Sequence, residues 1–188
     1  MQKLCSSFII LLMAVCLLMS CAGAPSSQQK REQGGAKGVI QLKPSISVPA
    51  TCPISPVYFG QSTENSGVSG VPWIEMEPNT AKIKGYLFFA GSHPQRYQLL
   101  HTGGAYPNGG STKILWVIEA PQQPNAIEVT GKKLLPTSET FQQNFPSASS
   151  PAGVYPSIVN VPTAGCWQLQ VKSGTVTASA TFWVVGDE

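Results

Sequence analysis

The chain has 188 residues, 5 cysteines and a formal net charge of +3, which suits one domain of ordinary size. Charged residues make up 11% of it, against roughly 25% in an average soluble domain, while it holds 18 glycines and 16 prolines. All but one of the prolines lie beyond residue 40, so long helices are almost excluded there and an all-β fold is expected.

Residues 1–20 have the pattern of a secretory signal. Lys3 precedes an apolar run at residues 8–18, which is shorter than the roughly 20 residues of a membrane-spanning helix. The run ends in the sequence LMSC, which resembles the lipobox of bacterial lipoproteins. That resemblance implies lipid attachment at Cys21 and a lipid anchor in place of a spanning helix. The alternative is an ordinary signal peptide that is cut near residues 22–24 and leaves no lipid.

Residues 21–38 are predicted to form a tether between the lipidated cysteine and the domain. After Cys21 they contain no apolar side chain larger than Ala or Pro, which is typical of a flexible linker. The tether is basic, and it either contacts anionic lipid headgroups or is simply solvated. Residues 39–188, the predicted domain, balance their basic and acidic groups, so the concentrated basic face of a nucleic-acid-binding domain is not expected.

Two cysteines remain in the domain, Cys52 and Cys166. Because the signal directs export to a compartment that permits disulfides, we predict that they pair. Closing so long a loop stabilises a fold by about 4 to 5 kcal/mol in the chain-entropy model. The alternative is two free buried thiols. We expect no metal site, because two sulfurs and two distant histidines supply too few ligands.

Alternating strand patterns fill the domain. The clearest is at the C-terminus, where Val176, Ala178, Phe182 and other apolar residues share one face and Thr and Ser residues share the other. A second alternating run at residues 167–172 precedes it, so the two are predicted to form a hairpin. Further strands are predicted at residues 39–43, 81–90, 96–101, 112–119, 126–130 and 155–161. Residues 60–72 are predicted to form a long loop.

These seven to nine short strands, separated by Pro/Gly turns, favour a β-sandwich, because one sheet must bury its apolar face against another. The sequences TCPISP at residues 51–56 and PTAGCWQL at residues 162–169 resemble a family of uncharacterised bacterial exported proteins and lipoproteins. The resemblance spans about residues 50–186, and its GCW segment is the specific part. It implies an Ig-like β-sandwich with a Cys52 to Cys166 bridge, and it implies no established activity.

No motif in the sequence identifies a catalytic site, and we expect neither an enzyme nor a cofactor. A Gly-x-Ser-x-Gly nucleophile elbow is absent. For the base of a hydrolytic triad the domain offers His93 and His101, and its one aspartate is Asp187, near the end of the sequence. Glu75 and Glu77 are a close carboxylate pair, but solvated carboxylates at a strand edge explain them without catalysis.

Binding is harder to dismiss than catalysis because the domain has four tryptophans. Trp116 and Trp167 lie on apolar alternations and are expected in the core. Trp183 lies on the polar face of the last strand and Trp73 lies in the loop region. Each of these two is either packed beneath a loop or exposed in a binding surface.

The leading interpretation is a non-enzymatic, lipid-anchored protein of the bacterial cell envelope, with its domain on the extracytoplasmic side. Its β-sandwich is expected to bind another envelope protein. Two alternatives remain open: a carbohydrate- or cell-wall-binding module that uses Trp73, Trp183 or Tyr106, and an extracellular protease inhibitor.

Overall fold

A computed structural model describes residues 38–60, 68–91, 94–119, 125–135, 137–149 and 151–186. The predicted signal, Cys21, the tether, His93 and Asp187 therefore lie outside the described residues. The described part of the chain contains no helix long and apolar enough to cross a membrane.

Within these described ranges the chain forms twelve strands and two short 3-10 helices, Asn79–Ala81 and Phe88–Ala90. The strands are β1 Ile40–Pro44, β2 Val57–Phe59, β3 Trp73–Glu75, β4 Ile83–Leu87, β5 Arg96–Tyr97, β6 Leu100–His101, β7 Lys113–Ile118, β8 Ala126–Leu135, β9 Thr140–Pro146, β10 Val154–Ile158, β11 Gly165–Ser173 and β12 Val176–Val185. Sheet 1 has the order β10-β7-β4-β3-β2-β1-β5, and sheet 2 has the order β6-β12-β11-β8-β9.

The two sheets pack face to face, which confirms the predicted β-sandwich. Side chains alternate along each strand, so every second residue points into the space between the sheets. Ile83 and Trp116 enter this core from sheet 1, and Val129, Leu169 and Phe182 enter it from sheet 2. Most of the stabilisation of the fold therefore comes from this shared apolar layer.

Both tryptophans that were predicted to be in the core are fully buried. The Trp116 indole N–H donates a hydrogen bond to the Ser157 hydroxyl at 3.0 Å. The Trp167 indole N–H donates to the Thr163 carbonyl oxygen at 2.8 Å. Each ring thus buries its apolar area while its one polar atom keeps a partner, as is usual for a buried tryptophan.

The predicted number of seven to nine strands is too low for the described chain. Strands β2 and β3 have three residues each, too few for an alternation to be recognised. The predicted strand at residues 96–101 is two short strands in different sheets, since β5 pairs with β1 and β6 pairs with β12. The C-terminal hairpin is confirmed, with its turn at residues 174–175.

The predicted disulfide is confirmed: Cys52 bonds to Cys166. Cys166 lies on β11, whereas Cys52 lies in the connection from β1 to β2, which crosses the edge of β12. There the Ser55 N–H donates to the Thr181 carbonyl at 2.9 Å, and the Thr181 N–H donates to the Ser55 hydroxyl at 2.9 Å. The connection therefore covers part of the β12 edge, which would otherwise present unpaired backbone groups.

Candidate binding surface on the outer face of sheet 1

An apolar row runs straight across five strands on the outer face of sheet 1. Tyr58 is the register partner of Trp73, which pairs with Tyr86; Tyr86 pairs with Leu115, which pairs with Pro156. A sheet face that is turned away from the core normally carries polar side chains. We therefore expect this row to be covered by other residues of the chain or by a binding partner.

One end of the row is covered within the chain. Trp73 is 7% exposed and packs with Tyr86 in a small apolar cluster that is separate from the main core. The rings of Tyr58 and Trp73 lie 4.9 Å apart, and the Lys84 ammonium lies 5.1 Å from the Trp73 ring. The partly buried Val71 packs against the same cluster. Trp73 is thus not the exposed aromatic plane that a binding role for it would need.

Trp183, the second predicted binding residue, lies on the other sheet. It is the β12 register partner of Cys166, and its partly buried ring packs against residues of the main core. The structure therefore does not bring Trp73 and Trp183 together in one surface. The sequence placed both on polar or irregular segments, and it could not show that each contacts a different apolar cluster.

The other end of the row is open to solvent. Phe88 is 41% exposed and Ile158 is 53% exposed, and the register partner of Ile158 is Lys113, whose ammonium lies 5.1 Å from the Phe88 ring. Pro156 is exposed and Leu115 is half-buried beside them. We call these five residues the Phe88 surface.

A hollow of about 290 Å³ adjoins the Phe88 surface, and it is lined in part by Phe88, Gln98, Tyr106 and Asn108. The Tyr106 hydroxyl donates to the Leu99 carbonyl oxygen at 2.6 Å. Burial raises the pKa of Tyr106 above its ordinary value, so this group stays neutral and hydrogen-bonded. Tyr106 therefore forms a fixed wall of the hollow, and Phe88 supplies its exposed aromatic ring.

The groups considered for catalysis lie apart. Glu75 is on the outer face of β3 opposite Lys84, and Glu77 accepts a hydrogen bond from the Asn79 N–H at 3.2 Å. His101 is on sheet 2, with its ring 4.5 Å from the Tyr106 ring. Among the described residues, no three His, Cys, Asp or Glu side chains are grouped so as to hold a metal ion.

Sequence reasoning missed the Phe88 surface although a signal for it was present. In β7 both alternating faces are largely apolar, because Leu115 and Val117 point away from the core that Trp116 enters. A strand that is apolar on both faces is either covered on both faces or binds a partner.

Comparison of the chain with protein-family models, curated proteins and solved structures finds no match, so the resemblance to an exported lipoprotein family stays a prediction.

Proposed function

We propose that this chain is a lipid-anchored interaction protein of the bacterial cell envelope, and that its β-sandwich binds another envelope protein through the Phe88 surface. The observation that carries this proposal is the placement of two exposed apolar side chains, Phe88 and Ile158, beside the same residue, Lys113. Lys113 and Ile158 are register partners, and Lys113 also contacts Phe88. Singly scattered apolar residues are normal on a surface, whereas a contiguous group with an aromatic ring is typical of an interface.

The energetics of the Phe88 surface favour a protein partner. Full burial of a side chain such as Phe88 or Ile158 is worth about 1.5 to 3 kcal/mol, and both begin roughly half exposed. Rings with few rotatable bonds also lose little entropy on binding, so they are efficient contact residues. Phe88 and Ile158, beside the half-buried Leu115, would form the apolar centre of a small interface.

Lys113 indicates the charge of the partner. Ion pairs in the described residues join Lys82 to Glu119 and Lys133 to Glu139, and neither involves Lys113. A partner that covers the Phe88 surface would therefore also cover an ammonium group that forms no ion pair with a described residue. Desolvation of that charge is compensated when the partner supplies a carboxylate. We accordingly propose a partner segment with apolar side chains next to an Asp or Glu.

A carbohydrate is the second candidate ligand, and one observation favours it. The exposed Phe88 ring stands beside the amide side chains of Gln98 and Asn108 in the adjoining hollow. An aromatic plane flanked by amides can stack on a sugar and hydrogen-bond its hydroxyls. The burial of Trp73 removes one of the aromatic groups on which the carbohydrate hypothesis first rested. The protease-inhibitor hypothesis stays a prediction.

In-cell photo-crosslinking tests the proposed surface. A photoreactive residue at position 158 should give one discrete protein adduct, and the same residue at Gln170, exposed on sheet 2, should not. Phe88→Ser should abolish the adduct, and Gln170→Ser should preserve it. Adducts with cell-wall glycan alone would move the carbohydrate ahead of the protein. Equal protein adducts from both positions would overturn a specific surface.

The proposed lipid anchor has its own test. Metabolic labelling with radioactive palmitate should label the chain, and Cys21→Ala should abolish the label. Cys16→Ala is the matched control, because Cys16 follows the β-branched Val15, where the lipobox needs a small residue. A label that survives Cys21→Ala would contradict the assignment of the anchor to that residue.

A further inference from the structure

A larger hollow lies at the edge of sheet 1 that is formed by β1 and β5. Its volume is about 700 Å³, and residues 43–50, Cys52, Ile54 and Arg96 line it. Lys43 and Arg96 are its two charged lining residues, and they are direct register partners in the parallel pairing of β1 with β5. Both side chains are exposed.

Two like charges placed directly opposite each other on neighbouring strands repel, so the pairing destabilises the sheet edge unless an anion compensates it. The lining of the hollow includes no carboxylate. Within the described residues, the ion pairs of Lys82 with Glu119 and of Lys133 with Glu139 involve neither Lys43 nor Arg96. The positive charge of this hollow is therefore uncompensated within the described part of the chain.

Hydrogen bonds order the backbone that carries the two cationic side chains. The Lys43 N–H donates to the Gln95 carbonyl at 3.2 Å, and the Ser45 N–H donates to the Tyr97 carbonyl at 2.9 Å. The Cys52 disulfide fastens the far side of the same hollow to sheet 2. A site whose backbone is already ordered loses less entropy when it binds a ligand.

We propose that this hollow binds a phosphoryl group between Lys43 and Arg96. A guanidinium donates two parallel hydrogen bonds to such a group, and an ammonium adds a point charge beside it. A phosphate monoester carries a charge of about −1.5 to −2 at pH 7, which matches two cations better than a single carboxylate does. The hydroxyls of Ser45 and Ser47 also line the hollow and supply further donors.

Phosphoryl groups reach an extracytoplasmic domain either as soluble phosphate esters or as phospholipid headgroups, and the chemistry of recognition is shared. Two probes separate these sources: glycerol 3-phosphate and short-chain phosphatidic acid, both of which are phosphate monoesters. Each is titrated at low salt into the full chain in detergent micelles, and the Arg96 guanidinium signals are followed by NMR. Glycerol, which lacks the phosphoryl group, and short-chain phosphatidylcholine, whose headgroup has no net charge, are the controls.

We expect the charged probes to shift the Arg96 signals with saturation. Lys43→Gln should raise the dissociation constant at least about tenfold, since one charge-assisted contact is lost. The matched control is Lys172→Gln, which removes the same charge from an exposed position on sheet 2 and should change binding less than about twofold. The melting temperature should not fall in Lys43→Gln, because removing a like charge relieves repulsion.

Saturable binding of glycerol 3-phosphate would assign the site to soluble esters, and binding of phosphatidic acid alone would assign it to lipid headgroups. An equal loss of binding in Lys43→Gln and Lys172→Gln would overturn the proposal, because it would indicate general charge attraction. Absence of saturable binding for both charged probes would overturn it as well. The proposal is independent of the Phe88 surface, which uses none of these residues.

Discussion

The outer faces of the two sheets differ in chemistry, although their inner faces are similarly apolar. On sheet 2, one cross-strand row consists of Thr181, Gln168, Lys132 and Thr140, and the row beside it, Ser179, Gln170, Thr130 and Gln142, is also polar. On sheet 1, the row that begins at Tyr58 is aromatic and aliphatic across five strands. A solvated antiparallel sheet has the first pattern, so the second requires another explanation.

This contrast indicates that the two outer faces have different roles. Sheet 2 makes the contacts that tie other segments of the chain to it, namely the disulfide at Cys166 and the backbone hydrogen bonds of β12 with Ser55 and Glu77. The apolar face keeps Phe88 and Ile158 open to solvent. Substitutions on sheet 2 should therefore change stability, and substitutions at the open end of sheet 1 should change binding.

Removal of the disulfide should have the largest effect on stability. Cys52→Ala combined with Cys166→Ala opens a loop with a sequence separation of 114 residues, and we expect the free energy of unfolding to fall by about 2 to 5 kcal/mol. Chemical denaturation of the double variant and of the wild type, each with and without reductant, measures this loss. Identical denaturation midpoints for all four samples would contradict the fastening role of sheet 2.

A glycine on the inner face of sheet 2 should be the next most sensitive position. A Cβ at Gly131 would lie 2.0 Å from the ring of Phe141, its register partner on β9. Gly131→Ala forces that ring to move and disturbs its packing with the Trp167 ring, 5.5 Å from it, which should cost about 1 to 3 kcal/mol of unfolding free energy.

The cause is tested with a double-mutant cycle. In a Phe141→Ala background, Gly131→Ala has no ring to displace and should cost almost nothing, because alanine lowers the entropy of the unfolded chain. Urea denaturation of the four chains gives the coupling energy. Additive costs for the two substitutions would show that the contact between the glycine and the ring is not what makes Gly131 sensitive.

Charge reversal on the two outer faces sharpens the functional side of the comparison. Lys113→Glu should weaken capture of the crosslinked partner at least about tenfold, because the proposed partner carboxylate would meet a like charge. Lys132→Glu makes the same change on an exposed position of sheet 2 and should leave capture unchanged. Equal losses for both would mean that capture follows net charge and not the Phe88 surface.

The sequence predicts the paired sheets and the disulfide because both depend on local patterns. Alternation in β12 identifies its inner face, and the predicted export signal makes pairing of the cysteines the expected state. The covered state of Trp73 depends on Tyr86 and Lys84, which lie on a neighbouring strand. The apolar outer face of β7 is visible in the sequence, but composition and spacing do not encode which strands are neighbours in a sheet. The register of the strands is therefore needed to place Ile158 beside Lys113 and Lys43 beside Arg96.

The smallest expected effect concerns the edge of sheet 2, where Lys133 and Glu139 form an ion pair at 3.2 Å. The Thr163 hydroxyl donates to the Glu139 carboxylate at 2.6 Å, and the Thr137 hydroxyl donates at 3.0 Å. These hydrogen bonds, with that of Thr163 the largest cause and that of Lys133 the next, lower the pKa of Glu139. The folded chain therefore favours the ionised carboxylate more strongly than the unfolded chain does.

Because the folded pKa of Glu139 is the lower one, its contribution to stability is complete above the unfolded pKa and is lost as the pH falls through the folded pKa. Urea denaturation across the acid range should show this loss in the wild type, and Glu139→Gln should flatten that part of the profile. Glu119→Gln is the matched control, because the Lys82 to Glu119 pair is exposed on both sides and contributes little. If Glu139→Gln kept the acid dependence of the wild type, the contacts of Glu139 with Thr163 and Lys133 would not be the cause of the loss of stability in acid. The stabilising role of sheet 2 would then rest on the disulfide and the β12 bridges alone.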